Sequence, residues 1–207
     1  SGKTTLMRNL INKIPSNLSI TSNEETAELY TTHPNVIQRE ILNNRTEDKN
    51  ITLAMLTAHS LVMSNDVIVI GELKGEEAMV FFDAVSTGHR GYATVHAKKK
   101  KNTIDRLITL MKSDIKPPMH TDQYLRKLLS LSLDLVIYMD HFKVQEIVEI
   151  GYDTEQEDIS YHTLFEFKVD HYENGKAIGK FKRLGKPNGR VKRKIDVNQL
   201  EIEKWMN

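Results

Sequence analysis

Apolar residues recur at helical spacing near the start of the chain. Leu6, Leu10 and Ile14 share one face and predict a helix over residues 4–13, ended by Pro15-Ser16-Asn17. Residues 18–20 are a short apolar run suited to a strand, and residues 24–34 read as a polar loop with three acids. Helical spacing returns over 50–63, where Ile51, Met55, Leu56 and His59 alternate with polar positions. Asp66-Val67-Ile68-Val69-Ile70-Gly71-Glu72 is a β-branched run closed by a small residue and an acid, the pattern of a buried strand with a functional carboxyl end. A helix over 76–86, a strand over 92–96 and a helix over 102–112 follow, the last capped by Asn102 or Thr103. Pro117-Pro118 breaks the chain before a helix over 121–131 and a strand over 135–139. Alternating strands and helices imply a largely parallel sheet covered on both faces.

After residue 140 the texture changes. Strands are predicted over 144–150 and 164–169, separated by an acidic turn with Asp153, Glu155, Glu157 and Asp158. Residues 180–194 are basic and rich in Gly and Pro, and 196–205 read as a closing helix. The expected division is a core over 1–140 and a second part over 141–207, with no internal repeat.

Composition narrows the classes. With 39% hydrophobic and 28% charged residues, the chain can build a core under a heavily charged surface. A formal net charge of +1 gives no global field pointing to nucleic acid or an acidic partner. Cysteine is absent, which removes disulfides and thiolate metal sites and fits a reducing cytosol. No apolar run approaches the ~20 residues needed to span a bilayer, and no signal peptide is visible. A soluble protein able to dock on a membrane complex is expected. The chain opens at Ser1 in the middle of a motif, without an initiator Met, and is expected to be a fragment.

That motif is the second half of a phosphate loop, Gly2-Lys3-Thr4, followed by a helix. Backbone amides at a helix start hold phosphate oxygens, Lys3 would neutralise the β- and γ-phosphates, and the Thr4 hydroxyl would meet Mg²⁺. Alone, the tripeptide fits an ordinary capped helix better. Glu72, at the end of a buried strand, suits the acid that polarises the water shell of Mg²⁺, and equally a surface carboxylate just past a strand. Glu24-Glu25-Thr26-Ala27-Glu28 could orient or deprotonate an attacking water, though such clusters are more often solvated turns. Thr87-Gly88-His89-Arg90-Gly91-Tyr92-Ala93-Thr94-Val95-His96 carries two histidines, either of which could sense a γ-phosphate or be structural. Two histidines without a third ligand nearby make a poor metal site.

Taken in order, Gly-Lys-Thr, the acidic box, Val-Ile-Val-Ile-Gly-Glu-Leu-Lys-Gly-Glu-Glu-Ala and the histidine segment closely resemble the secretion-ATPase superfamily. These are the motors of type II secretion, type IV pili and conjugative type IV secretion. The likeness is strongest to the ATPases of tight-adherence pili and conjugation. It runs from residue 1 to about residue 170 and includes Leu131-Ser132-Leu133-Asp134-Leu135-Val136-Ile137 and Glu146-Ile147-Val148-Glu149-Ile150.

The resemblance implies an α/β fold, with a RecA-like P-loop NTPase core, a largely parallel sheet and a small C-terminal β-rich appendage. It also implies an N-terminal domain absent from this chain. Six subunits would form a ring with ATP between them, and hydrolysis would drive pilus assembly, retraction or export from the cytoplasmic face of inner-membrane platform proteins. Carried over by motif, Ser1, Gly2, Lys3, Thr4 and Thr5 would bind phosphate, with Thr4 on Mg²⁺. Glu28 matches the catalytic glutamate, Glu24 and Glu25 open the box, and Glu72 matches the Walker B acid that holds Mg²⁺ through water. His89 and His96 match the histidine box, with His96 counted among the catalytic residues.

Two departures stand out. The arginines usual before the Walker B strand are missing from Leu61-Val62-Met63-Ser64-Asn65, and Lys74 replaces an arginine whose bidentate fork it cannot reproduce. Arg39 and Arg45 remain and could act across a subunit boundary. Weakened turnover is expected, and poor ATP binding by the fragment alone. Two other readings stay open. A structural ring subunit or nucleotide-gated adaptor would bind without turnover. A RecA-like nucleic-acid motor would use Lys180, Lys182, Arg183, Lys186, Arg190, Lys192, Arg193 and Lys194, with Lys98, Lys99, Lys100 and Lys101. Nucleic acid is not the expected partner, since stacking aromatics are not interleaved there.

Overall fold

The structure is a computed structural model that describes residues 2–41, 50–97, 102–113 and 120–197. The chain divides into two compact units, Gly2–Ser132 and, apart from Ser1, Leu133–Asn207. Among the described residues no helix is long and apolar enough to cross a membrane.

The first unit opens with α1 (Lys3–Ile11), β1 (Ile20–Glu24), β2 (Val36–Glu40) and α2 (Leu53–Ser60). It continues with β3 (Val67–Leu73), α3 (Glu77–Ser86), β4 (Arg90–Val95), α4 (Thr103–Met111) and α5 (Asp122–Ser132). Its sheet runs β2-β1-β3-β4 with every pair parallel. Ile20 lies beside both Val36 and Val67, and Val67 beside Arg90. All four strands therefore deliver their carboxyl ends to one edge. β3 is the apolar heart: Val67, Ile68, Val69 and Ile70 are all at most 1% exposed, as a strand covered on both faces requires. Met7 and Ile11 of α1 pack with Ile20, Leu29, Val67 and Val69, which seats α1 on the sheet. The start of β3 is tied to the residue before β1 by Asp66, whose Oδ2 accepts from the Ser19 amide at 2.8 Å and its hydroxyl at 2.9 Å.

Several predicted elements shift. β1 extends through Thr21, Ser22, Asn23 and Glu24, all buried, where a polar loop is predicted from residue 24. β2 is an additional strand, short and at the sheet edge, in a stretch without a predicted element. The helix expected over 50–63 contracts to α2, started by the Thr52 side chain accepting from the Met55 amide at 3.2 Å. Its buried face is Leu53, Thr57 and Ser60, whereas the predicted Ile51 and Met55 are exposed. Asn102 caps α4 without a side-chain bond.

The second unit is an antiparallel meander, β5 (Leu135–Asp140), β6 (Lys143–Asp153), β7 (Asp158–Glu173) and β8 (Lys176–Arg183), then α6 (Gly189–Val197). β5, read from sequence with the parallel core, pairs antiparallel with β6. The turns His141-Phe142 and Asn174-Gly175 have positive φ at both central residues, matching the twist of two-residue hairpins. The basic stretch resolves into β8, a short connection and α6, and Phe181 within it packs edge-on against Phe167 at 5.3 Å. Arg190 and Lys194 of α6 bond to Asp134, and the Glu149 carboxylate accepts from the Asn188 amide at 2.9 Å. The closing helix expected over 196–205 falls largely outside the described residues, as do Lys98, Lys99, Lys100 and Lys101.

Candidate functional site

The parallel sheet explains why distant acids and a histidine meet. Glu24 ends β1, Glu72 lies near the end of β3, and His96 directly follows β4. α1 brings its first turn to this same edge. Gly2 precedes it with φ 80°, a left-handed conformation that favours glycine, and the Leu6 amide closes the first helical bond on the Gly2 carbonyl at 3.0 Å. As in any α-helix, the first-turn amides lack acceptors within the helix, and the helix dipole makes this end attractive to anions.

Side chains cross the edge in a chain of contacts. Lys3 Nζ lies 3.3 and 3.2 Å from Nδ1 and Nε2 of His96. His96 Nε2 is 2.9 Å from Glu72 Oε1, and Glu72 Oε2 is 3.3 Å from Lys74 Nζ. Lys74 also pairs with Glu25, whose carboxylate holds the ammonium above the ordinary lysine range. Thr94 of β4 donates to the Gly71 carbonyl at 2.6 Å, fixing the two strands beside Glu72. An arriving polyanion would therefore compete with the His96 ring for Lys3 and with Glu72 and Glu25 for Lys74.

The acidic box divides into two kinds of residue. The Glu24 side chain is buried, and its Oε1 accepts from the Glu28 and Leu29 amides at 3.1 Å each. Its Oε2 has no hydrogen-bond partner. Burial pushes this carboxyl above the usual carboxylate range, and the two amides oppose the shift. A Cβ at Gly71 would stand 3.0 Å from Glu24 Cγ, so glycine leaves room for this packing. Glu28 itself is exposed. Its main chain is held on the other side by Arg8 of α1, which donates to the Glu28 carbonyl at 2.9 Å and to the Leu29 carbonyl.

The predicted site residues therefore separate. Gly2, Lys3, Thr4 and Thr5 at the start of α1, with Glu24, Glu25, Glu72 and His96, belong to one edge. Glu28 follows β1 on that side, in the loop that Glu24 and Arg8 hold. His89 precedes β4 and approaches the Ala84 carbonyl at 3.3 Å; the strand carries it about 20 Å from the end where His96 sits. Arg39 is spent within its own unit. It donates to Asn23 Oδ1 at 3.0 Å, to the Leu56 carbonyl at 2.7 Å and to Ser60, and approaches His59 Nδ1 at 3.1 Å. Ser1 and Arg45 lie outside the described residues. Arg8 is the functional candidate that sequence reading missed, because a lone arginine on a helix has no pattern to mark it. Among the described residues no group of three or more His, Asp or Glu could hold a metal by itself. Thr4 could meet a magnesium ion with its hydroxyl, and Glu72 could hold one through its water shell.

The family model described as "Type II/IV secretion system protein" matches residues 1–145. Protein VirB11 of Agrobacterium fabrum is 30% identical over 152 residues, covering 72% of this chain and 44% of that one. Among solved structures, the VirB11 ATPase of the Brucella suis type IV secretion system, in complex with sulphate, superposes with a TM-score of 0.57 at 25% identity. That match covers 78% of this chain and 45% of the other. The pilus retraction motor PilT with bound ADP shares the fold, with a TM-score of 0.56 at 21% identity over 100% of this chain and 50% of that one. The chain spans 63% and 44% of the length of the first two curated relatives it matches.

Proposed function

We propose, for a chain that belongs to the type II/IV secretion system protein family, that it is the ATP-hydrolysing part of a motor for type IV secretion or pilus dynamics. The observation that carries this reading is the meeting of Lys3, His96 and Glu72 at the edge where α1 begins. In this reading the first unit is a RecA-like P-loop core and the antiparallel sheet is its C-terminal appendage. The α1 amides and Lys3 would take the phosphates, Thr4 would hold Mg²⁺ directly and Glu72 through water, and Glu28 would orient the attacking water and accept its proton. Mg²⁺, when bound, would supply charge neutralisation on the phosphate oxygens.

His96 stands between Lys3 and Glu72 and is suited to report phosphate occupancy, since Lys3 must turn from its ring to reach an anion. Glu25 and Lys74 lie further along the same edge as an ion pair. The motor would act as a ring of six on the cytoplasmic face of a membrane, docked on secretion or pilus platform proteins. With Arg39 committed internally, arginines reaching the γ-phosphate across a subunit boundary would come from elsewhere.

Nucleotide binding by the full-length protein tests the reading. Lys3→Ala is expected to weaken Mg-ATP binding by about tenfold or more, as loss of a charge-assisted contact predicts. Unchanged affinity in that variant would remove α1 as the phosphate site.

A further inference from the structure

Arg8 lies five residues beyond Lys3, on the helix whose start faces the candidate phosphate site. Its guanidinium is spent on two consecutive backbone carbonyls, those of Glu28 and Leu29. The amides of the same two residues both donate to Glu24 Oε1. Four hydrogen bonds, two from the Arg8 guanidinium and two to the Glu24 carboxyl, therefore grip two residues, from α1 on one side and the end of β1 on the other. Leu29, 1% exposed, anchors the gripped segment in the core, while the Glu28 side chain remains at the surface. Held this way, the Glu28 carboxylate is left to move chiefly about its own side-chain torsions.

We propose that Arg8 is a positioning residue that links α1 to the loop bearing Glu28, so that phosphate capture and placement of the Glu28 carboxylate are set together. This rests on the reading of Glu28 as the general base. Arg8 contacts main chain alone in this clamp and acts through Glu28. A planar guanidinium presents a fixed fork to two neighbouring carbonyls at once, whereas a lysine ammonium presents its three donors from one atom without that fork.

The test compares wild type, Arg8→Lys and Arg8→Gln in the full-length protein. It measures Mg-ATP turnover, affinity for a non-hydrolysable ATP analogue, and hydrogen exchange of the Glu28 and Leu29 amides. Arg8→Gln is expected to lower kcat about 10- to 100-fold, the usual cost of a reacting group misplaced by about 1 Å. Analogue affinity should stay within about threefold, and Arg8→Lys should recover part of the loss. Exchange at the two amides should quicken in Arg8→Gln and less so in Arg8→Lys.

Turnover within about twofold of wild type in both variants would overturn the proposal, as would equal losses of turnover and affinity. Unchanged exchange would overturn it whatever the turnover. Should Arg8→Gln not fold, Arg8→Lys carries the same outcomes at smaller amplitude. A wild type without turnover would refute the ATPase reading, and the exchange measurement would still decide whether Arg8 grips the loop.

Discussion

β1 and β3 lie side by side in one sheet and both are buried, yet they are built of opposite material. β3 presents Val67, Ile68, Val69 and Ile70, and each fully buried aliphatic side chain stabilises the fold by roughly 1.5–3 kcal/mol. After Ile20, β1 presents Thr21, Ser22, Asn23 and Glu24. Burial of such groups costs free energy unless partners are supplied. Asn23 finds them in Arg39 and Ser60, and Glu24 in the amides of the loop it introduces. The apolar strand holds the sheet together. The polar strand uses its interior hydrogen bonds to aim a loop at the site.

The largest expected effect tests the apolar half of this contrast. Ile68→Ala, at a position 0% exposed, should destabilise the protein by about 2–5 kcal/mol, read by chemical denaturation. A loss below about 1 kcal/mol would mean that β3 is less tightly packed than its burial indicates. The polar half should respond through broken partnerships. Asn23→Ala leaves Arg39 and Ser60 each short of a bond and should cost about 1–3 kcal/mol, with Asn23→Asp recovering part through Arg39. Stability within about 0.5 kcal/mol of wild type would show that the network contributes nothing net.

The smallest effect is a pH dependence. Glu24 holds its proton more tightly in the folded chain than at its ordinary value of 4.5. Between that value and the raised one, the native state binds more protons than the unfolded state, so this group's contribution to stability falls as pH rises. Glu24→Gln keeps an oxygen for the two amides and cannot ionise. Its stability relative to wild type should therefore improve from about pH 4.5 toward neutrality. Parallel stability curves for the two proteins would contradict a buried, ionising Glu24.

The same contrast explains what the sequence discloses. β3 with Glu72 and the helix after Gly2-Lys3-Thr4 were legible because apolar runs and a phosphate-loop pattern mark them directly. The inner part of β1 was not, because its buried residues are polar and their partners, Arg39 and Ser60, lie far along the chain. β2 is a short edge strand with little apolar content. The buried face of α2 uses Thr57 and Ser60, so counting apolar residues selected the wrong side. β8 could have been found from Asn174-Gly175, a two-residue hairpin signal between alternating stretches. His96 and His89 are indistinguishable in a motif, and only the direction of β4 separates them. Arg8 acts on backbone atoms of a distant loop, a relation that exists only in the fold.

The most direct test of the account is Mg²⁺-dependent ATP turnover by the full-length protein, wild type beside Glu28→Gln. Glutamine preserves the shape and the gripped main chain but cannot accept the proton. Wild type should show clear turnover, falling about 10²- to 10⁴-fold in the variant with ATP still bound. Equal turnover in the two proteins, or an assembled wild type that binds ATP without hydrolysing it, would contradict the account.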